Sequence, residues 1–314
     1  MRTIELTYPH SLVLEELPDT VSAIGFFDGI HKGHQKVINS AVDEAARRNM
    51  ESAVITFHPH PSVVLKKDTQ HVKYITPMRE KKEILKNLQV DRLYIIKFDK
   101  ALSLLSPQEF IDHFITGLNI KHLVAGFDYT FGHKGKGNMY NLSNYTKDLF
   151  SYSTVDKVTM DEEKISSTRI RELLKTGKTE KANMLLGRPL VIDGIVVKGD
   201  QRGRELGYPT ANMQVNPDAL LPKPGIYAVK VHYKNEVYEG MANIGTNPTF
   251  TADRKDLSVE INIFDYNNDL YGEELIIEWL KYIREEEKFD SADALIKQME
   301  EDEKNIRNYF RVNL

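Results

Sequence analysis

Residues 25–35 read GFFDGIHKGHQ, and what lies on either side decides how they fold. Upstream, residues 22–26 form a strand candidate; downstream, Val37, Ile38, Ala41, Val42 and Ala45 recur at helical spacing along one face. The segment is therefore a strand-to-helix turn. Gly29 and Gly33 let the backbone approach a ligand closely, and the helix start offers unpaired amides and partial positive charge to an anion. His31 and His34, three apart, project from one side of the turn. Fixed donors in that arrangement suit the charge that builds on an α-phosphate under attack by another phosphate. The competing reading makes both histidines ordinary polar residues of a loop and cap.

Outward from this turn, residues 21–158 alternate short apolar runs with helical patterns, as a parallel sheet with crossover helices does. Further strand candidates are residues 53–57, 93–98 and 122–125. Thr76-Pro77 and Ser106-Pro107 look like helix starts with a hydroxyl cap, and Ser106 with Glu109 has capping-box spacing. A helical segment over 168–186 then meets Gly187-Arg188-Pro189, where the texture changes. Runs at 190–197, 226–233, 257–264 and 275–280 are rich in β-branched and aromatic residues, and residues 291–310 read as a helix. The expectation is an α/β Rossmann-like domain over 1–186, then a small antiparallel β-barrel domain over 187–314 with a C-terminal helix.

Composition narrows the function classes. The 314 residues carry 42 Lys and Arg against 46 Asp and Glu, a net charge of -4 with no global field to hold nucleic acid. The absence of cysteine excludes disulfides, thiolate nucleophiles and Cys-based metal sites. No apolar run nears the roughly 20 residues of a membrane helix, and the first residues, MRTIELTYPH, lack a secretory core. The expectation is a cytoplasmic protein of unspecified oligomeric state, without nucleic-acid or membrane partners.

Several other segments carry chemistry. KISSTRIR, residues 164–171, puts Ser167 and Thr168 at a helix start with Arg169 and Arg171 in its first turn, where the helix dipole disfavours cations unless an anion binds. FHPHP (57–61) and GFDYTFGHKGKGN (126–138) each follow a strand candidate, which puts them at the carboxyl edge of the sheet. In the barrel, KGDQRGRELGYPTAN (198–212) can wrap phosphates, and the oxygens of Thr210 and Asn212 are hard ligands suited to magnesium. Glu260, charged within an apolar run, is a candidate base for an attacking alcohol, or else a strand residue facing solvent. Gly177-Lys178-Thr179 echoes a P-loop, but Glu172 occupies the position that needs glycine.

GFFDGIHKGH resembles the FMN adenylyltransferase module of bacterial bifunctional FAD synthetases. The glycine-rich segment, PTAN, NIGTNPTF (243–250), the Glu260 strand, DLYG (269–272) and IREEEKF (283–289) occur in the order seen in riboflavin kinases. The resemblance implies phosphorylation of riboflavin to FMN and adenylylation of FMN to FAD, with ATP and Mg2+ in both steps. It implies catalytic roles for His31, His34, Arg171 and Glu260, with Ser167 and Thr168 on the ATP phosphates. Gly25, Phe27, Asp28, Gly33, Phe57, Pro59, His60, Asp128 and Phe131 are expected near flavin and nucleotide. In the barrel it implies ligand contacts by Gly203, Arg204, Gly207, Pro209 and Asn243, Arg284 in a flavin-side loop, and Thr210 and Asn212 on the metal. Competing readings are another His-x-Gly-His nucleotidyltransferase, retention of only one activity, or a noncatalytic flavin-binding protein.

Overall fold

The computed structural model describes residues 1–65, 71–199, 207–246 and 257–313. The chain divides into two compact units, Met1–Ser167 and Thr168–Leu314.

The first unit begins β1 (Arg2–Leu6), β2 (Thr20–Ile24), α1 (Lys32–Arg48), β3 (Glu51–His58), α2 (Pro61–Leu65), α3 (Met78–Asn87), β4 (Arg92–Lys97), α4 (Lys100–Ser103), α5 (Pro107–Phe114) and β5 (Ile120–Gly126). It continues with β6 (Thr130–Phe131), β7 (Gly137–Asn138), β8 (Ser151–Val155), β9 (Thr159–Met160) and β10 (Glu163–Lys164). Six strands form one parallel sheet in the order β1-β4-β3-β2-β5-β8. Helices cover both faces: Val37, Ile38, Ala41 and Ala45 of α1 join one core, and Phe110, Ile111 and Phe114 of α5 join the other. The central strand β2, enclosed on both faces, is buried throughout. The strand order reverses at β2, with β3 on one side and β5 on the other, so the carboxyl ends of β2 and β5 flank the crevice where such sheets bind ligands.

The expected capping box is present at α5: Glu109 N donates to Ser106 Oγ at 3.2 Å and Ser106 N to Glu109 Oε2 at 2.7 Å. At α3 the cap falls one residue later than expected. Pro77 is the N-cap, without a side-chain cap bond, while the Thr76 amide donates to Asp28 Oδ1 at 3.2 Å and so ties the helix to the β2 turn.

The second unit contains α6 (Ser167–Lys175) from its second residue on, α7 (Thr179–Leu186), β11 (Leu190–Val197), β12 (Ala211–Val215), β13 (Gly225–Tyr233), β14 (Glu236–Thr246), β15 (Leu257–Ile263), β16 (Glu274–Arg284) and α8 (Ala292–Asn313). Its six strands close as an antiparallel barrel, β11-β12-β15-β14-β13-β16, around the fully buried Tyr227 and Trp279. Ile306 and Phe310 of α8 pack on Ile226, Ala228 and Met241 of β13 and β14. The helical pattern over 168–186 is two helices: Gly177 at φ 75° turns the chain between them. The compact units part at Ser167, upstream of the boundary read at residue 187. Asn183 of α7 fastens that helix to the barrel: its Nδ2 donates to Trp279 O at 2.8 Å and its Oδ1 accepts from Leu190 N at 2.9 Å. No helix among the described residues is long and apolar enough to cross a membrane.

Candidate active sites

At the end of β2 the chain makes a strained turn, with Phe27, Gly29 and Ile30 at φ 51°, 88° and 37°. The turn delivers His31 to the N-cap of α1, where its Nδ1 accepts from the His34 amide at 3.2 Å. A neutral His31 with Nδ1 accepting carries its proton on Nε2. The His31 and His34 rings stack at 3.6 Å and 17°, and Phe27 meets His34 edge-on at 5.3 Å. His34 Nδ1 is buried and has no hydrogen-bond partner among the described residues. Burial, then His31 when it is protonated, and the charges of Lys81 and Lys164 hold the His34 imidazole well below its ordinary pKa, so it is neutral near pH 7. Close approach explains two glycines here. A side-chain carbon at Gly25 would sit 2.9 Å from the Phe27 ring, and one at Gly33 3.1 Å from the His31 ring.

Five of the other anticipated residues gather with His34 around a cavity of about 880 Å³ lined by Gly25, Phe27, His34, Phe57, Asp128 and Phe131, among others. Phe27, Phe57 and Phe131 are themselves buried, so they form its apolar wall. Asp128 is exposed at the rim and pairs with Lys164, whose amine also sits 4.8 Å over the Phe127 ring. Asp28 accepts through its side chain from Thr76, and its carbonyl accepts from Ser167 Oγ at 2.8 Å, so Ser167 is brought to the turn. His60 is not among the residues that line this cavity; its ring meets Phe26, which does, edge-on at 4.5 Å, and its Nδ1 accepts from Ser62 N at 3.1 Å, with Pro59 preceding it. Thr168 and Arg171 lie in the first turns of α6, within the second unit.

In the barrel, Asn212, Glu260 and Asn243 face one another across β12, β15 and β14, in register and therefore on one face. Thr210 Oγ1 lies 3.5 Å from Glu260 Oε2. Gly199 packs against Asn212, whose amide would be 2.2 Å from a side-chain carbon there, so only glycine fits. Two cavities meet at Thr210. One, of about 250 Å³, is lined by Thr210, Asn243, Glu260, Arg284 and the apolar Ile226 and Met241. The other, of about 560 Å³, is lined by Thr210, Pro209, Tyr266, Asp269 and Tyr271 among others. Arg284 ends β16 and pairs with Asp302 of α8, Nη2 to Oδ2 at 2.7 Å and Nε to Oδ1 at 2.9 Å. Gly207 is described, exposed and at φ 83°; Gly203 and Arg204 lie outside the described residues, as do residues 247–250 of NIGTNPTF.

Sequence reading missed two residues of this site. Asn262, whose Nδ2 donates to Pro209 O at 2.8 Å, anchors the loop that carries Thr210. Its signal is position: it stands two residues after Glu260 and so on the same strand face. Asp302, buried against Arg284, sits in the acidic run EEDEK, which carries no sign of burial.

Comparison with known proteins finds two families matched along the chain. A family model described as FAD synthetase matches residues 13–169, and one described as riboflavin kinase matches residues 186–310. The bifunctional riboflavin kinase/FMN adenylyltransferase of Bacillus subtilis (strain 168) is 45% identical over 311 residues, covering 99% of this chain and 98% of its own. The protein of the same description from Listeria monocytogenes is 46% identical over 312 residues, with 99% and 98% covered. A Streptococcus pneumoniae crystal structure described as a macrolide-efflux protein matches with a TM-score of 0.89 at 37% identity, covering 98% of this chain and 99% of that one. The two family models and the full-length relatives together assign the chain to the bifunctional riboflavin kinase/FMN adenylyltransferase family.

Proposed function

We propose that the two activities, riboflavin kinase and FMN adenylyltransferase, are run by two separate sites: FMN forms at the Thr210–Glu260 face of the barrel, and FAD at the His31–His34 turn. The observation that carries this is the stacked imidazole pair at a helix start, set at the edge where the order of the parallel sheet reverses.

In the barrel, Glu260 takes the proton of the riboflavin 5′-hydroxyl as its oxygen attacks the γ-phosphorus of ATP; the new O–P bond forms, the bond to ADP breaks, and FMN leaves. The meeting of the two cavities at Thr210 supports the geometry, the smaller and partly apolar one taking flavin and the larger one nucleotide. Arg284 and Asn243 would line the flavin side, and the sequence segment that holds Gly203, Arg204, Gly207 and Pro209 is assigned to ATP. Mg2+ is the usual ion of these enzymes, and the oxygen-bearing side chains of Thr210 and Asn212 beside the Glu260 carboxylate fit it. Bound there, Mg2+ offsets negative charge on the transferred phosphoryl group.

In the first unit, a phosphate oxygen of FMN attacks the α-phosphorus of ATP and the bond to pyrophosphate breaks. His31 Nε2–H and the amides at the start of α1 donate to the charge that develops, and neutral His34 does so without ion-pair desolvation. Ser167, Thr168 and Arg171 act on the triphosphate; Gly25, Phe27, Asp28, Gly33, Phe57, Pro59, His60, Asp128 and Phe131 shape the flavin and adenine surroundings. We assign the adenylyltransferase module to residues 1–186 and the kinase to 187–314, with ATP consumption by both placing the enzyme in the cytoplasm.

Chromatographic separation of FMN and FAD after incubation with riboflavin, ATP and Mg2+ tests the assignment. His31→Ala or His34→Ala should accumulate FMN without FAD. Asn212→Ala or Glu260→Ala should make no FMN yet convert supplied FMN to FAD. Equal loss of both steps in every variant would refute two separate sites.

A further inference from the structure

We propose that Lys81 and Thr56 clamp the Phe26 carbonyl and thereby position the His31–His34 turn for adenylyl transfer, Lys81 acting as a positioning residue that touches neither substrate. The proposal rests on the assignment of FAD formation to that turn.

Lys81 lies on α3 and is 2% exposed, a rare state for a lysine without a partner. Its Nζ donates to Phe26 O at 2.8 Å and lies 3.4 Å from Thr56 Oγ1. Thr56, buried on β3, donates to the same carbonyl at 2.9 Å. One oxygen thus takes two donors from two different elements, immediately before the backbone turns at Phe27, φ 51°. Fixing that carbonyl fixes the peptide that leads into Phe27. The Phe27 ring in turn backs His34 edge-on at 5.3 Å. The Lys81 amine also sits 4.9 Å over the Phe26 ring, closing the clamp from below.

The choice of a cation has an electrostatic consequence. Asp28, on the same turn, is the opposite charge that partly offsets Lys81, and burial brings the amine down to about 8. Beside burial, which does most to keep His34 neutral, Lys81 stands with Lys164 among the charges that act in the same direction. A methionine of similar length would fill the space without desolvating an ammonium group, so packing alone does not call for lysine here. The clamp accounts for both facts: it supplies a donor with the reach to hold Phe26, and a charge that keeps the neighbouring imidazole a neutral donor.

The test uses the full-length enzyme, with riboflavin kinase activity as an internal control. Lys81→Met should lower kcat for FAD formation on the order of 100-fold, the scale of a displaced reacting group, and leave KM for FMN and ATP within about 3-fold. FMN formation should stay at the wild-type rate, and the NMR titration of His34 should move to higher pH. Thr56→Val, which keeps volume and fold, should lower kcat about 10-fold with the same split. Wild-type kcat for FAD formation in Thr56→Val, or in a folded Lys81→Met, overturns the clamp. So does an unmoved His34 titration in a folded Lys81→Met, or a loss confined to KM. His34→Ala in the same assay separates the two claims: if it too retains FAD formation, the site assignment falls; if it is inactive while the clamp variants are not, the clamp alone falls.

Discussion

The Arg284–Asp302 pair offers a measurement in which one side chain reports on the whole kinase pocket. Asp302 is 1% exposed and holds the Arg284 guanidinium through Nε and Nη2, joining the end of β16 to α8, while Gln298 donates to the same carboxylate at 3.1 Å. Asp302→Ala leaves the guanidinium without its counter-ion. Breaking a buried pair costs about 3 to 5 kcal/mol, and the partial exposure of the Arg284 side chain, 17%, puts this one near the lower bound. With a urea dependence of about 1.5 kcal/mol per M, the unfolding midpoint of the second unit falls by about 2 M. The chain has a single tryptophan, and Trp279 is fully buried in the barrel, so its fluorescence follows that unit alone. Because Arg284, Asp302, Leu295 and Met299 all line the smaller cavity, KM for riboflavin should rise about 10-fold, or about 1.4 kcal/mol, while conversion of supplied FMN to FAD is unchanged. Replacing both partners, Arg284→Met with Asp302→Leu, should recover most of the stability and none of the riboflavin affinity. A midpoint that moves by less than about 0.3 M in Asp302→Ala would refute the reasoning, because a partner removed at that cost cannot be silent.

Three further outcomes are expected. Glu260→Gln keeps shape and loses the base, so kcat for FMN formation should fall about 100-fold or more with little change in the midpoint followed at Trp279; a near-normal rate would reassign the base. Gly25→Ala drives a carbon to 2.9 Å from the Phe27 ring and should reduce FAD formation about 10-fold by displacing the ring that backs His34, with the kinase rate as control. The third concerns pH. Lys81 binds its proton more weakly folded, at about 8, than unfolded, at 10.5, so between those values the unfolded chain carries the extra proton and stability rises with pH. The first unit should therefore gain up to about 1 kcal/mol per pH unit from pH 8 to 10 in urea titrations followed by circular dichroism, and Lys81→Met should abolish that gain.

How much of this was legible in the sequence depends on how far apart the interacting residues lie. The His31–His34 turn could be read because strand, glycines, imidazoles and helix face sit within a few turns of chain, and the Ser106–Glu109 capping box could be read for the same reason. β1, with RTIEL at the sheet edge and mostly exposed, gives no apolar run to detect, and β14, EVYEGMANIGT, mixes polar residues into a strand that only barrel closure makes regular. The helix over 168–186 looked continuous because apolar spacing survives across Gly177, whereas the break is a backbone angle. Lys81 and Asp302 are the instructive cases. Each sits in a charged stretch that reads as a solvated helix face, and each is buried because of a partner elsewhere in the fold, Phe26 O at 55 residues' separation and Arg284 at 18. Periodicity reports the solvent-facing habit of a residue type; it holds no term for a distant acceptor that makes burial affordable. Charged residues whose desolvation is offset only by the folded chain are thus hidden from sequence reading, and these two lie close to the sites: Asp302 pairs with Arg284, and Lys81 holds Phe26, next to Phe27. If that placement reflects function, Lys81→Met and Asp302→Ala should each impair one activity and spare the other, although neither side chain belongs to a recognised motif.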